Sequence, residues 1–194
     1  MRRQLAADVL DAAPRLLGWH LVSGDLRARI VEVEAYRQDD PGCHAFRGKT
    51  NRNAVMFGEP GHAYVYFTYG NHWMLNVVAH PLGDASAVLI RAAEPLEGLE
   101  TMRLRRPKAA NERGLLSGPG KLCAAYGITG GDNGIDLLNP DSPLRLEPHE
   151  PVTKVLVGTR IGLAKGKGDD YPWRFAAADA LPWISRPLQG LALR

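Results

Sequence analysis

The apolar positions of this 194-residue chain change period several times, and each change predicts an element. Over residues 4–17, Leu5, Val9, Leu10, Ala13 and Leu17 recur at helical spacing, and Pro14 is expected to kink the helix or to start a second one after Asp11. "SGDL" at 23–26 reads as a tight turn, and 26–36 as a strand. Residues 37–62, rich in Gly, Pro, Asn and Asp, predict a long ordered loop, and loops of that length inside compact domains tend to be functional. Two β-rich runs flank a polar tip over 63–80, which predicts a hairpin. A strand is expected over 85–95 and a helix over 95–106. A second helix is expected over 117–127, with Ser117 as its cap, Pro119 in its first turn and Gly127 as its stop. Loops and short strands fill 128–150, one or two strands fall within 153–166, and the tail reads as irregular. Strands dominate without βαβ alternation, so the expected fold is a single α+β domain on a largely antiparallel sheet.

Composition narrows the class. A hydrophobic fraction of 45% and a charged fraction of 23% are those of a globular chain. No apolar run approaches the ~18 residues of a membrane span. Asp8, Asp11 and Arg15 interrupt the start, so no signal peptide is expected. Two cysteines, Cys43 and Cys123, fit free thiols in a reducing cytoplasm. The net charge of +3 is unevenly spread. Arg103, Arg105, Arg106, Lys108, Arg113 and Lys121 stand against Glu112 alone within 101–125, whereas 130–150 is acidic. Such a chain can present a basic face to a polyanion, although an ordinary solvated helix surface accounts for the charges equally well.

Candidate chemistry begins at "IVEVEAY", residues 30–36. A strand's period of two puts Glu32, Glu34 and Tyr36 on one face and Val31, Val33 and Ala35 on the other. The carboxylates then lie ~6.6 Å apart along the strand. An edge strand with a solvated polar face is the bland reading. A carboxylate that activates water is the sharper one, because carboxylates among apolar neighbours often carry proton chemistry. Both project the same way, so they cannot flank a glycosidic bond as a pair. Zinc spacings, a nucleophile elbow and a complete phosphate loop are all lacking, and no metal or cofactor is expected. His62, His72 and His80 read as surface or turn residues.

In the hairpin, Tyr64, Tyr66 and Thr68 alternate with Val65 and Phe67, and Met74 and Asn76 alternate with Trp73, Leu75 and Val77. One face packs, and the other offers tyrosines and an amide suited to a flat heterocycle. Tyr64 is expected to be a core residue with a satisfied hydroxyl. Tyr69 at the tip has no such role, and an aromatic wedge entering a base stack is one known use for it.

The ordered motifs "VEVEAY", "CHAFRGKTNRN", "MFGEPGHAYVYFTYGNHWMLN", "VLIRAAEPLEG" and "LLSGPGKLC" resemble those of the alkyladenine (3-methyladenine) DNA glycosylase family of the mammalian type. The resemblance runs to about residue 127 and continues more loosely through "VGTRIGLAKG" and "PWRF"; Asn51 departs from the family's usual proline. It implies one domain around a curved antiparallel sheet with flanking helices and a protruding hairpin. Glu34 matches the water-activating carboxylate, and Tyr36 and Tyr66 match the walls of a base pocket that His44 completes. Asn76 matches the amide that crowds the exocyclic amine of guanine, and Tyr69 the residue that fills the gap in the duplex. Arg91 and the Ile161 carbonyl match the groups that fix the attacking water. The implied activity is hydrolysis of alkylated or deaminated purines from double-stranded DNA, with no lyase step.

Arg103, Arg105, Arg106 and Lys121 are the candidate contacts to the DNA backbone. The expected enzyme is a monomer, working in the bacterial nucleoid or, in a eukaryote, the nucleus. A non-catalytic module that stacks bases and a hydrolase of free nucleosides are the rival readings.

Overall fold

The computed structural model describes residues 1–81 and 83–188, and the backbone of 192–193. The described strands are β1 (His20–Ser23), β2 (Leu26–Tyr36), β3 (Ala63–Thr68), β4 (His72–Val78), β5 (Ala87–Glu97), β6 (Arg145–Glu147), β7 (Val155–Gly158), β8 (Arg174–Ala177) and β9 (Ala192–Leu193). They form one antiparallel sheet in the order β3-β4-β5-β2-β8-β7-β9, with β1 bridging β2 and β6. The sheet curls into a half-barrel, and with the helices this gives the expected α+β fold. The helices are α1 (Arg2–Leu5), α2 (Val9–Arg15), α3 (Leu99–Arg105), α4 (Arg113–Leu116) and α5 (Pro119–Tyr126).

Several expectations are corrected. The first helical segment breaks at residues 6–8 rather than at Pro14, because the Asp8 side chain accepts the Leu10 N–H at 2.8 Å and caps a new helix. Pro14 sits in the last turn of α2, one residue before its end, so little of the helix is left to disrupt. Ser117 does not cap α5: Gly118 holds that position, while Ser117 is buried and bridges Ala92. Only Val155–Gly158 of 153–166 is strand; beyond Gly158 the chain leaves the sheet and walls the site. The tail contributes β8, which pairs with the middle of β2. His80 is buried rather than at the surface.

The largest correction concerns β2. It is a central strand, flanked by β5 on one side and by β1 and β8 on the other, so its glutamates do not face water. Nor is its alternation strict. Ile30 pairs with Ala93, Glu32 with Ala92 and Val33 with Ile90, which leaves Val31 as an extra residue on β2 and Arg91 as an extra residue on β5. These bulges shift the phase of the strand. Leu26, Ala28 and Ile30 enter the main core at even positions, Val33 and Ala35 enter it at odd ones, and Val31 packs in a separate cluster with Ala92 and Ala177. Without the shift, a strand with an apolar first half would send Glu32 and Glu34 into that core.

The main core lies between one face of the sheet and the helices, where Val65, Leu75, Val77, Val88 and Ile90 meet Val9, Ala13, Leu116, Leu122 and Tyr126. The loop 37–62 folds over the other face and builds a second cluster from Cys43, Ala45, Met56, Tyr64, Val78 and Ala87. The hairpin extends past the sheet, because β4 pairs with β5 only through Asn76–Val78 while its outer half pairs with β3 alone. Helix α5 braces it: a Cβ on Gly120 would lie 2.8 Å from the His72 ring, so only glycine allows this approach.

Candidate active site

One antiparallel row, Tyr64–Asn76–Leu89–Glu34–Arg174–Gly158, crosses the sheet from β3 to β7 and carries two of the candidate residues, Asn76 and Glu34. Tyr36, His44, Tyr64, Tyr66 and Asn76, with Met56 and Ala87, line a narrow slot. Tyr36, Gly42, His44 and Tyr66 also line a wider cleft, whose other walls include Tyr69, Arg91, Pro119, Ile161 and Gly162. Residues far apart in the chain thus meet in one continuous depression.

Glu34 is fully buried and lies behind the wall of this cleft rather than in its lining. Its Oε1 accepts the Ile161 N–H at 2.8 Å. Its Oε2 accepts from the Tyr36 hydroxyl at 2.9 Å and from Arg91 Nη1 at 3.2 Å. The three donors all line the cleft, so the carboxylate sits directly behind its wall. Burial first, and the Glu34 charge next, push the Tyr36 hydroxyl well above its ordinary pKa, so it stays protonated and donates. Burial alone would lower the pKa of Arg91, but Glu34 and Glu32 more than offset it, and the guanidinium stays charged.

Each aromatic wall has an arginine beside it. The Arg160 guanidinium lies 4.6 Å from the Tyr36 ring centre, and that of Arg52 lies 5.4 Å from the Tyr66 ring centre. Arg52 also donates to the Phe67 carbonyl at 3.3 Å, tying the loop to the hairpin. The His44 ring meets Tyr66 edge-on at 4.5 Å, and its Nδ1 is hydrogen-bonded to the Tyr64 hydroxyl at 2.9 Å. Tyr64 is therefore the satisfied core residue expected from the sequence. Burial, then Arg52, lower the His44 pKa, which keeps the imidazole neutral at pH 7. Asn76 is fixed by its own amide, which donates to the Tyr64 carbonyl at 3.0 Å. Buried Asn53 holds the loop that carries His44, donating to the carbonyls of His44 and Gly48 at 2.8 and 3.0 Å.

Tyr69 is 76% exposed and has φ +53°, the sole positive φ among the described residues other than glycine. With Gly70 at φ +70° it forms the pair of left-handed residues that a type I′ hairpin turn needs. Asparagine suits that position, and a tyrosine there costs about 1–2 kcal/mol. Its hydroxyl reaches toward Gly162, lying 3.7 Å from where a Cβ on that residue would stand. A strained, solvent-exposed aromatic over the cleft mouth is not explained by folding.

The basic segment is less uniform than its sequence. Arg103 pairs with Glu112 at 2.6 Å, and Arg105 donates to the Ala125 carbonyl at 3.1 Å. Arg106 is partly buried. Lys121 is exposed on α5, whose Pro119 reaches the cleft; burial, then Arg106 and Arg113, lower its pKa. Sequence reasoning missed Asn53, Arg52, Arg160 with its partner Asp40, and the hydrogen bond from Tyr36 to Glu34. Only the last was within reach, because both residues share one face of β2. Among the described residues, no group of three or more His, Cys, Asp or Glu could hold a metal, and no helix is long and apolar enough to cross a membrane.

A tyrosine-walled slot for a flat ring, beside a buried carboxylate held by three donors, is a layout that suits a base-excising hydrolase. A sequence model of the methylpurine-DNA glycosylase (MPG) family matches residues 3–181. A putative 3-methyladenine DNA glycosylase of Nitrosospira multiformis is 48% identical over 184 residues, 95% of this chain and 92% of that protein. Namesakes from Rhodopseudomonas palustris (strain CGA009) and Burkholderia lata are 48% and 49% identical, over 94% and 86% of this chain and 85% and 81% of theirs. The chain belongs to the methylpurine-DNA glycosylase family, hydrolases of DNA base excision repair.

Proposed function

We propose that this protein flips alkylated or deaminated purines out of double-stranded DNA and hydrolyses the N-glycosidic bond with a water activated by Glu34, leaving an abasic site. The observation that carries this reading is the hold on Glu34, whose oxygens are bound by Ile161, Tyr36 and Arg91, three residues of the cleft shared with the aromatic walls. The extruded base stacks between Tyr36 and Tyr66 and meets His44. Water at the floor gives a proton to Glu34 as its oxygen bonds to the sugar carbon, and the C–N bond electrons leave with the purine. Arg91 and the Ile161 carbonyl orient that water, and the carboxylate charge steadies the developing sugar cation. The relatives carry the name of 3-methyladenine, whose positive charge makes it a leaving group that needs no acid.

Stacking on tyrosine favours a cationic base by roughly 0.5–2 kcal/mol, which discriminates only when Asn76 also excludes guanine by crowding its amine. Flipping costs a few kcal/mol, least at a damaged pair, and Tyr69 offsets part of it by filling the hole. Arg103, Arg105, Arg106 and Lys121 contact phosphates. The protein works as a single-domain monomer over residues 1–194, and its bacterial relatives favour the nucleoid as its location.

The test is incubation with duplexes carrying 3-methyladenine, 7-methylguanine, hypoxanthine or ethenoadenine, and then treatment with alkali. Breaks are expected at lesions, and none at normal purines or in free nucleosides; a protein that binds these duplexes but breaks none refutes the reading. Tyr69→Ser keeps a Cβ at the left-handed position and removes only an exposed ring, so it should leave the melting temperature unchanged and slow single-turnover excision by about tenfold or more, equivalent to losing ~1.4 kcal/mol of flipping free energy. Excision at the unsubstituted rate would remove Tyr69 from the mechanism.

A further inference from the structure

The role of Glu34 leaves its neighbour on the same strand unexplained. Glu32 is also fully buried and, like Glu34, is not itself part of the lining of the slot or the cleft. Its Oε1 lies 3.0 Å from Arg174 Nε and 3.7 Å from Arg91 Nε, and its Oε2 accepts the Ser185 N–H at 2.6 Å. The Ser185 hydroxyl accepts from Arg91 Nε at 3.4 Å, and Arg174 Nη2 donates to the carbonyls of Arg186 and Pro187 at 2.7 and 3.1 Å. Arg91 is therefore gripped at both ends, with Nη1 on Glu34 and Nε against Glu32 and Ser185.

We infer that Glu32 is the positioning residue of this site: it fixes the arginine that orients Glu34 and the water, and its charge sets the basicity of Glu34. The inference rests on the proposed role of Glu34 and deepens it. Two carboxylates and two guanidiniums share the buried network, so its charges balance. The charged or titratable groups around Glu34 are Glu32 and Tyr36 on its own strand, Arg91 on β5, Arg174 on β8 and Tyr66 on β3. Neutralising Glu32 leaves two cations facing Glu34 alone, which makes it harder to protonate and a weaker base. Neutralising Arg174 does the opposite. Glu32 also holds the Ser185 N–H, while its partner Arg174 holds the carbonyls of Arg186 and Pro187, and Arg186 lines the cleft, so the network couples the tail to the site.

The experiment measures single-turnover excision of 7-methylguanine against pH. That base leaves already charged, so the acidic limb reports the general base alone. Glu32→Gln should move this limb to lower pH, and Arg174→Gln should move it to higher pH, each by about half a unit or more. Glu32→Asp keeps the charge and should keep the limb in place whatever rate it loses. Limbs that superimpose, or that move the same way in both Gln variants, overturn the inference, because a merely structural role lowers rates without opposed shifts. Should Glu32→Gln not fold, Arg174→Gln decides. Glu34→Gln is measured alongside: if it still excises, the reading of Glu34 itself has failed, and if it is inactive while the limbs coincide, only the role of Glu32 falls.

Discussion

Glu34→Gln should lower single-turnover excision by about 10²- to 10⁴-fold while lesion-duplex affinity stays within a fewfold of the original. The substitution keeps size and shape. Its remaining oxygen can still accept the Ile161 N–H, so the walls of the cleft hold their places. What disappears is the ability to take a proton from water and to offset positive charge on the sugar. The slot is unchanged, so a flipped base still stacks on Tyr36 and Tyr66. The new amide also sets a donor against Arg91 Nη1 where a carboxylate oxygen had accepted, which should cost about 1–3 kcal/mol of stability and be visible in a thermal melt. Gel shifts with a lesion duplex, beside alkali cleavage of the same duplex, separate the outcomes. Abasic sites formed at the original rate would exclude Glu34 as the base. Loss of binding together with excision would assign it to recognition instead.

How much of this was legible in the chain depends on the range of the interaction. The bounds of β2, Leu26–Tyr36, and the hairpin were readable because a turn signal and a period of two are local. The shared face of Tyr64, Tyr66 and Asn76 came from the same period and appears as the lining of the slot. Resemblance supplied roles that no spacing could, and the structure gathers Glu34, Tyr36, His44, Tyr66, Asn76, Arg91 and Ile161 around one depression. Pairing partners were illegible. Whether β2 is central or at an edge depends on β8, a segment of four residues with no alternation to announce it. The bulges at Val31 and Arg91 exist only as a relation between two strands about 60 residues apart in sequence. They also let Arg91 turn toward both glutamates, a geometry that strict alternation does not supply. The charge of 101–125 read as one basic face, whereas Arg103 and Arg105 have partners within the protein that a run of letters does not reveal.

Asp40→Ala should destabilise the protein by about 3–5 kcal/mol, the largest stability effect expected for a single substitution near the site. Asp40 and Arg160 form a fully buried ion pair, with Arg160 Nη2 donating to Asp40 Oδ1 at 3.0 Å and Nη1 to Oδ2. Arg160 donates further to the Ala35 and Gly168 carbonyls, both at 3.0 Å. The pair joins three segments: the end of β2, the loop that carries His44, and the chain beyond β7 that carries Ile161. Gly168 closes over it with φ +67°, and a Cβ there would lie 2.6 Å from Arg160 Nη2, so no other residue fits that turn. Removing the carboxylate strands a guanidinium in the interior and frees the Gly42 N–H that Asp40 Oδ1 accepts at 2.9 Å. In a chain of this size, each kcal/mol is worth about 2–4 °C, so the melting temperature should fall by roughly 6–20 °C. Excision should weaken below that temperature as well, because the Arg160 guanidinium packs on the Tyr36 ring, which in turn holds Glu34. Asp40→Asn keeps an acceptor for Gly42 and should fall between the alanine variant and the original protein. Melts of all three proteins, read beside their excision rates, decide it. A melting temperature unchanged in Asp40→Ala would mean that the loops hold one wall of the slot without this pair, and Tyr36 would then owe its position to the strand alone.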